Sequence, residues 1–286
     1  MTSPRTLLKA WDIFPKKQLG QNFLVDPGTA SMIVSRGGVL PEDVILEIGS
    51  GLGALTIPLS AAAKKVYAIE KDDRLIRLLE AELALFKADN VILLHQDVLS
   101  TDIPAMAALE KTRLLVFANL PYNISSQVLI KLIENRQYLS RCILMFQKEL
   151  AERLIAKAGN KAYGRLSVML QYCSEIRFLA TVKAHLFHPK PKIDSEIIEI
   201  DFSKPSPYET GNEPFFFSVI KAAFSKRRKT LKNALSSSEL GMNSEQVSLA
   251  LTTAGIDPVR RAETLSVKEF VGLGEAILQE SARPPQ

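Results

Sequence analysis

Five apolar runs of strand length alternate with segments of helical spacing in the first half of this chain. This alternation constrains the fold more than any other feature. The runs are Val44–Ile48, Val66–Glu70, Val91–His95, Leu114–Asn119 and Cys142–Gln147. Apolar residues recur at helical spacing in residues 74–86, between the second and third runs, and again in residues 166–173. Strands that alternate with helices build a parallel sheet through right-handed crossovers, so we predict an α/β domain.

The second half of the chain changes character. Two more strand-like runs, Ile176–Val182 and Ile197–Phe202, leave no room for a full helix between them, so we expect an antiparallel pair at one sheet edge. A linker rich in proline and polar residues follows, and after it we find only helical patterns. These patterns begin near Pro214, Thr230, Asn243 and Ser266. We predict an α/β domain with an N-terminal arm over 1–203, a linker over 204–214 and a small all-helical domain over 215–286.

Composition narrows the class of protein. The formal charge is +5 and the pI about 9.1, which favours an anionic partner. Cys142 and Cys173 lie far apart in apolar surroundings, so we expect buried free thiols and a cytoplasmic protein. The three histidines form no metal-ligand spacing with them, so we expect no metal. No apolar run reaches membrane-spanning length, and no pattern requires more than a monomer.

A glycine-rich turn follows the first strand, in residues 47–54. Gly49 and Gly51 let the backbone approach a ligand closely, at the carboxyl edge where open α/β sheets bind ligands. Glu70 ends the second strand, 21 residues after Gly49, where an acid can accept from ribose hydroxyls. The same spacing also satisfies the dinucleotide fingerprint, so a nicotinamide-dependent dehydrogenase stays an alternative at this point.

Polar groups at three further positions favour a different cofactor. Glu47 precedes the glycines, Asp97 ends the third strand run, and Asn119 ends the fourth. Acidic groups at three strand ends, Glu47, Glu70 and Asp97, suit a sulfonium cofactor with an amino-acid tail better than a pyrophosphate. Asn119 begins the segment Asn-Leu-Pro-Tyr, whose amide oxygen and aromatic ring can hold a flat, amine-bearing base. The simpler alternative for this segment is a strand followed by a proline turn.

Together these residues resemble the S-adenosylmethionine-dependent ribosomal RNA adenine N6-dimethyltransferases, most closely the small-subunit (16S) enzymes of the KsgA type. The motifs that carry the resemblance are residues 18–24, 47–56, Glu70, Asp97, 119–126, 189–195 and 224–230. They occur in the family's order and cover nearly the whole chain. The resemblance implies a Rossmann-like methyltransferase sheet, mostly parallel with an antiparallel edge, and a small all-helical C-terminal domain.

The resemblance also implies a cofactor site for S-adenosylmethionine, without a metal. The positions that would line it are Asn22, Leu24, Gly49, Gly51, Glu70, Asp97 and Asn119. Two residues depart from the family pattern: Ser50 replaces a proline between the glycines, and Gln96 replaces the glycine before Asp97. Neither departure removes a required functional group, although both bear on cofactor affinity.

The catalytic residues implied by the resemblance are Asn119, Leu120, Pro121, Tyr122 and Phe187. The Asn119 side-chain oxygen and the Leu120 carbonyl would accept from the adenine amine, and Tyr122 and Phe187 would stack on the base. The implied reaction methylates the N6 amines of two adjacent adenosines in a hairpin loop near the 3′ end of 16S rRNA, late in small-subunit assembly. A base in a loop can leave its stack at low cost.

Exposed cations are expected to meet the RNA. They are Lys190, Lys192, Lys226, Arg227, Arg228 and Lys229. Such charge runs are more often solvated surface, but here an aromatic residue lies beside four consecutive cations. The expected partner is 16S rRNA within the small subunit or its precursor. Two alternatives remain open: a 23S rRNA adenine N6-methyltransferase of the Erm type, and an assembly factor whose binding outweighs its catalysis.

Overall fold

The computed structural model describes residues 2–121, 123–204, 206–226 and 228–282, and they divide into two compact units. The α/β unit holds the described residues up to Ala151 together with Ile176–Ser203. The helical unit holds Glu152–Glu175 and the described residues from Lys204 onward. Residues 152–175 thus belong to the same compact unit as the C-terminal helices, although they precede the last strands in sequence. The functional domain boundaries given above remain a prediction.

The α/β unit has nine strands within the described residues. They are β1 (Phe23–Leu24), β2 (Val44–Ile48), β3 (Lys65–Glu70), β4 (Val91–His95), β5 (Leu114–Asn119), β6 (Leu139–Gln147), β7 (Glu175–Val182), β8 (Phe187–His188) and β9 (Ser195–Asp201). All but β1 and β8 overlap the predicted runs. Every residue of β2 and β9 is buried, including the acids Glu47, Glu196 and Glu199. The helices beside them are α1 (Pro4–Ala10), α2 (Pro27–Arg36), α3 (Thr56–Ala62), α4 (Asp73–Leu85), α5 (Ile103–Glu110) and α6 (Ser125–Glu134). Helix α7 (Lys148–Ile155) crosses the division between the units.

Within the described residues, seven strands form one sheet in the order β4-β3-β2-β5-β6-β9-β7. The first five strands in this order, β4, β3, β2, β5 and β6, run parallel. Strand β9 lies antiparallel to β6, and β7 lies beside β9 at the edge. The prediction of a mostly parallel sheet with an antiparallel edge is confirmed. Glu47 pairs in register with Ala68 on β3 and Phe117 on β5. This register brings the carboxyl ends of β2, β3 and β5 to one edge.

A second, two-stranded sheet was not predicted. Strand β1 pairs antiparallel with β8, so that Leu24 faces Phe187 in register. Both side chains are buried in the main hydrophobic core. Each strand has only two residues, and such short segments carry no period that a sequence pattern could reveal. The pairing fastens the chain after the N-terminal arm to the segment before β9.

The helical unit contains α8 (Arg165–Cys173), α9 (Glu213–Ala223), α10 (Leu231–Leu235), α11 (Ser244–Thr253) and α12 (Val267–Ser281). Helix α12 begins at the predicted capping box: Ser266 accepts from the Glu269 N–H, and the Glu269 side chain accepts from the Ser266 N–H at 2.7 Å. Tyr172 packs against Phe216 with ring centroids 4.7 Å apart, which ties α8 to α9. The predicted C-terminal helices are confirmed. Among the described residues, no helix is both long and apolar enough to span a bilayer.

Candidate active site

A cavity of about 270 Å³ opens at the carboxyl edge of β2, β3 and β5. It lies wholly within the α/β unit. The predicted cofactor residues Asn22, Leu24, Gly49, Gly51, Glu70, Asp97 and Asn119 all line it, together with Leu120 and Pro121. These residues come from separate parts of the chain and meet because parallel strands end at the same edge. Their proximity supports a shared ligand, while their roles remain predictions.

The turn after β2 adopts the backbone that its glycines allow. Gly49 and Gly51 have φ of +76° and +55°, a region that residues with side chains rarely occupy. The N–H groups of Gly49 and Ser50 donate to the Ile69 carbonyl at 2.9 and 3.0 Å, which fastens the turn to the end of β3. A Cβ atom on Gly51 would lie 3.3 Å from the Phe23 ring. The turn is therefore held close to the residue that precedes Leu24 on β1.

Glu70 is nearly buried and anchors three backbone groups. Its Oε2 accepts from the Gly51 N–H at 2.9 Å, and its Oε1 accepts from the N–H groups of Lys71 and Asp72 at 2.9 and 2.8 Å. Burial raises the pKa of Glu70, and these three hydrogen bonds oppose that rise. The carboxylate is thus fixed at the cavity wall by the glycine turn on one side and the start of α4 on the other.

Asp97 and Gln96 form the wall at the end of β4. Asp97 accepts from Lys71 Nζ at 2.7 Å and from the Leu99 N–H at 2.9 Å. The Lys71 ammonium, followed by the Leu99 hydrogen bond, lowers the pKa of Asp97. Gln96, the departure noted above, lines the cavity, and its Nε2 donates to the Thr101 hydroxyl at 3.0 Å. Lys71 was not predicted, because its pairing with Asp97 joins two strands and leaves no local sequence signal.

At the end of β5, hydrogen bonds orient the groups predicted to meet the base. Asn119 Nδ2 donates to the Asn22 carbonyl at 3.1 Å, so Oδ1 is the atom of this amide that can accept from an amine. The Pro121 carbonyl accepts from the Ser125 hydroxyl at 2.9 Å. The neighbouring carbonyl of Leu120 is therefore the backbone acceptor that suits the predicted role. Tyr122 lies outside the described residues.

Phe187 is not brought to this cavity. Its side chain is 2% exposed and belongs to the main hydrophobic core, where β8 pairs with β1. Lys190 and Lys192 are exposed on the segment between β8 and β9. A stacking role for Phe187 remains a prediction. In this structure Phe187 pairs in register with Leu24, and both side chains lie in the core.

The cationic segment of the helical unit follows α9. Lys226, Arg228 and Lys229 are exposed, and Lys226 Nζ donates to the Ser237 hydroxyl at 2.9 Å. Arg227 lies outside the described residues. Exposure leaves these side chains accessible to an anionic partner, and their contact with RNA remains a prediction. Among the residues that the structure describes, no cluster of His, Cys, Asp or Glu could hold a metal ion.

Two buried polar atoms test whether the cavity fits the implied cofactor. Glu47 Oε2 and Ser50 Oγ have no hydrogen-bond partner within the described part of the chain, and both residues line the cavity. Burial raises the pKa of Glu47 to about 8. A buried carboxyl oxygen without a partner suits a ligand that carries an ammonium group, because the ligand would supply the missing partner. S-adenosylmethionine, with its amino-acid tail, meets this requirement.

Comparison with known proteins finds relatives that match nearly the whole chain. The family model described as ribosomal RNA adenine dimethylase matches residues 15–278. The chain is 51% identical over 277 residues to the ribosomal RNA small subunit methyltransferase A of Desulforapulum autotrophicum, covering 97% of each chain. It is 42% identical to the Bacillus mycoides protein of the same name, covering 92% of this chain and 91% of the relative.

Two solved structures share the fold across most of the chain. A dimethyladenosine transferase from Plasmodium falciparum superposes with a TM-score of 0.70 at 27% identity, covering 88% of this chain and 95% of the other. The 23S rRNA methyltransferase ErmE superposes with a TM-score of 0.67 at 24% identity, covering 90% of this chain and all of the other. The second likeness concerns the fold alone.

Proposed function

This chain belongs to the family of ribosomal RNA adenine dimethylases, and we propose that it transfers methyl groups from S-adenosylmethionine to adenine N6 amines of 16S rRNA. The proposed targets are two adjacent adenosines in a hairpin loop near the 3′ end, in the small subunit or its late precursor. The choice of targets and the timing rest on the resemblance alone. An enzyme with this substrate would act in the cytoplasm, and we propose that it does so as a monomer.

One observation carries the proposal. The Asn119 amide, fixed by its bond to the Asn22 carbonyl, lines the same cavity as the acids Glu70 and Asp97. A cavity that combines acceptors for an amine with acceptors for a nucleoside and an ammonium suits methyl transfer to a base. A nicotinamide cofactor would instead require a place for a pyrophosphate, and the acids at this edge oppose one.

The chain's own residues would act mainly by positioning. When bound, S-adenosylmethionine would supply an electrophilic methyl group. The Asn119 Oδ1 atom and the Leu120 carbonyl would accept from the adenine amine, which is a weak nucleophile because its lone pair is delocalised. Two fixed acceptors favour a pyramidal nitrogen with a localised lone pair, and the rate gain comes from orientation and preorganised electrostatics. Tyr122 would hold the base by stacking.

The decisive experiment is methyl transfer from labelled S-adenosylmethionine to small-subunit particles that lack this modification, followed by mapping of the labelled nucleotide. Label on two adjacent adenosines of 16S rRNA, recovered as N6,N6-dimethyladenosine, is the expected result. Label on large-subunit RNA would favour the Erm-type alternative. Binding to the particles without any transfer would favour the assembly factor.

Asn119→Ala tests the acceptor role. We expect methyl transfer to be lost while cofactor affinity stays within about tenfold of the original protein. Asn135→Ala is a matched control, because the Asn135 side chain donates to the Lys131 carbonyl at the end of α6 and does not line the cavity. Normal transfer by the Asn119 variant would show that this amide is not an essential acceptor.

A further inference from the structure

Asp72 holds a network of hydrogen bonds that the roles above do not use. It is 2% exposed, and its carboxylate accepts from Gln21 Nε2 at 3.0 Å and from Lys16 Nζ at 3.3 Å. Arg74 adds two hydrogen bonds to the same carboxylate, from Nε at 3.0 Å and from a terminal nitrogen at 2.7 Å. Arg74, the largest cause, lowers the pKa of Asp72, so the carboxylate is ionised at neutral pH. Gln21 and Lys16 belong to the N-terminal arm, which we define as residues 16–22.

The N-terminal arm lies along the cavity. Gln21 and Asn22 line it, and Gln21 Oε1 accepts from the Lys16 N–H at 2.7 Å. The Gln21 amide is therefore held at both ends, by the arm's own backbone and by Asp72. The far side of the arm is fastened to the end of β5, where Asn119 donates to the Asn22 carbonyl and Asn123 donates to the Gln18 carbonyl at 3.1 Å.

Asp72 also contacts the predicted ribose acid. Its N–H donates to Glu70 Oε1 at 2.8 Å, while Glu70 Oε2 accepts from Gly51 in the glycine turn. One residue thus connects the arm, through its side chain, with Glu70, through its backbone. Because the arm and Glu70 share this connection, closure of the arm and ligand binding at Glu70 can influence each other. Any such coupling is reciprocal.

We propose that Asp72 is a positioning residue that fastens the N-terminal arm over the cofactor cavity and couples the closed arm to the orientation of Glu70. Cofactor at Glu70 and closure of the arm then favour each other. The inference rests on the proposed function, because it takes S-adenosylmethionine as the ligand. It assigns a role to Asp72 and to the arm residues Lys16 and Gln21, for which the resemblance implies none.

Helix capping is the alternative role for this residue, since Asp72 precedes α4. The capping contact is weak, however, because the Arg74 N–H lies 3.4 Å from the carboxylate. Asp102 caps α5 more closely, with the Ala105 N–H at 3.0 Å, and it does not line the cavity. Asp102→Asn is therefore a control for the loss of a capping charge at an exposed position, since only Asp72→Asn also removes a charge that the arm contacts.

The test uses the full chain and S-adenosylhomocysteine as the probe, with no RNA present. For Asp72→Asn we expect weaker probe binding by about tenfold or more, since hydrogen bonds to a charged group are lost. In methyl transfer, KM for S-adenosylmethionine should rise by a similar factor while kcat changes less than about threefold. The probe should slow amide hydrogen exchange in residues 16–22 of the original protein and of Asp102→Asn, but not of Asp72→Asn.

A second variant keeps the proposal testable if Asp72→Asn does not fold. Gln21→Ala removes one of the arm's hydrogen bonds to Asp72 and leaves Asp72 itself unchanged. It should weaken probe binding and reduce the probe's effect on amide exchange in the arm. If both variants fold, the double variant should bind no worse than Asp72→Asn alone. Strictly additive losses, or arm exchange that still responds to the probe, would overturn the proposal. Failure of the original protein to bind the probe would instead count against the proposed function.

Discussion

Replacement of Glu47 by glutamine should raise the stability of the protein relative to the original protein as the pH rises. Glu47 is the penultimate residue of β2, is 2% exposed, and has an oxygen without a partner within the described residues. Burial raises the pKa of this carboxyl from an ordinary 4.5 to about 8. The folded protein must therefore keep a proton that the unfolded chain releases above pH 4.5. The contribution of Glu47 to the free energy of unfolding is fully present below pH 4.5 and is lost as the pH rises towards 8.

The size of the effect follows from the same two values. Each pH unit between 4.5 and about 8 removes about 1.4 kcal/mol, so the full loss is about 5 kcal/mol if the site does not relax. Glutamine does not titrate, so Glu47→Gln removes this pH dependence while its buried amide adds a penalty that does not change with pH. Between about pH 5.5 and pH 8.5 the stability of the variant should gain about 3 kcal/mol relative to the original protein.

Urea unfolding at several pH values measures this gain. The single tryptophan, Trp11, belongs to the α/β unit, so its fluorescence follows the unit that contains Glu47. Glu199→Gln is a contrasting control: Glu199 is equally buried, but it pairs with Arg141 at 3.0 Å and Arg177 at 2.7 Å. Its replacement should destabilise the protein, because two ion pairs to a buried carboxylate are lost. Parallel stability curves for the original protein and Glu47→Gln would refute the assignment of a buried acid that is protonated in the folded protein.

Two further predictions concern the glycine turn and the cationic segment. Gly53→Ala should destabilise the protein by about 1–3 kcal/mol in urea, because φ is +83° and the new Cβ would lie 2.7 Å from Leu79. Gly159→Ala is the control for backbone strain alone, because φ is +88° and the new Cβ would have nothing within 4 Å. Equal losses of stability in the two variants would show that the contact with Leu79 contributes nothing. Replacing Arg228 and Lys229 by glutamine should lower the salt dependence of RNA binding by about one to two in log–log slope. An unchanged slope would mean that these side chains do not meet phosphates.

Much of the α/β unit could be predicted because its central strands, such as β2 and β5, are buried on both faces. Continuous apolar runs such as residues 44–48 and 114–119 then stand out from the polar turns around them. Parallel strands end at one edge, so residues at strand ends in sequence, such as Glu70 and Asn119, had to meet in space. The capping box at Ser266 is equally local, and it marked the start of α12 correctly.

Contacts between distant segments were not predictable, because no local period encodes them. The bond from Gln21 to Asp72 spans 51 residues, and the ion pair from Lys71 to Asp97 spans 26. Phe187 was expected at the site from resemblance, yet two-residue strands bury it in the core.

The sequence by itself determined the sheet, its ligand-binding edge and the chemical groups there, because burial and turn chemistry act over a few residues. Only the tertiary structure decided which of those groups are already paired, which carboxyl oxygen has no partner among the described residues, and what holds the arm across the cavity. Those outcomes depend on side chains that meet only after the chain has folded.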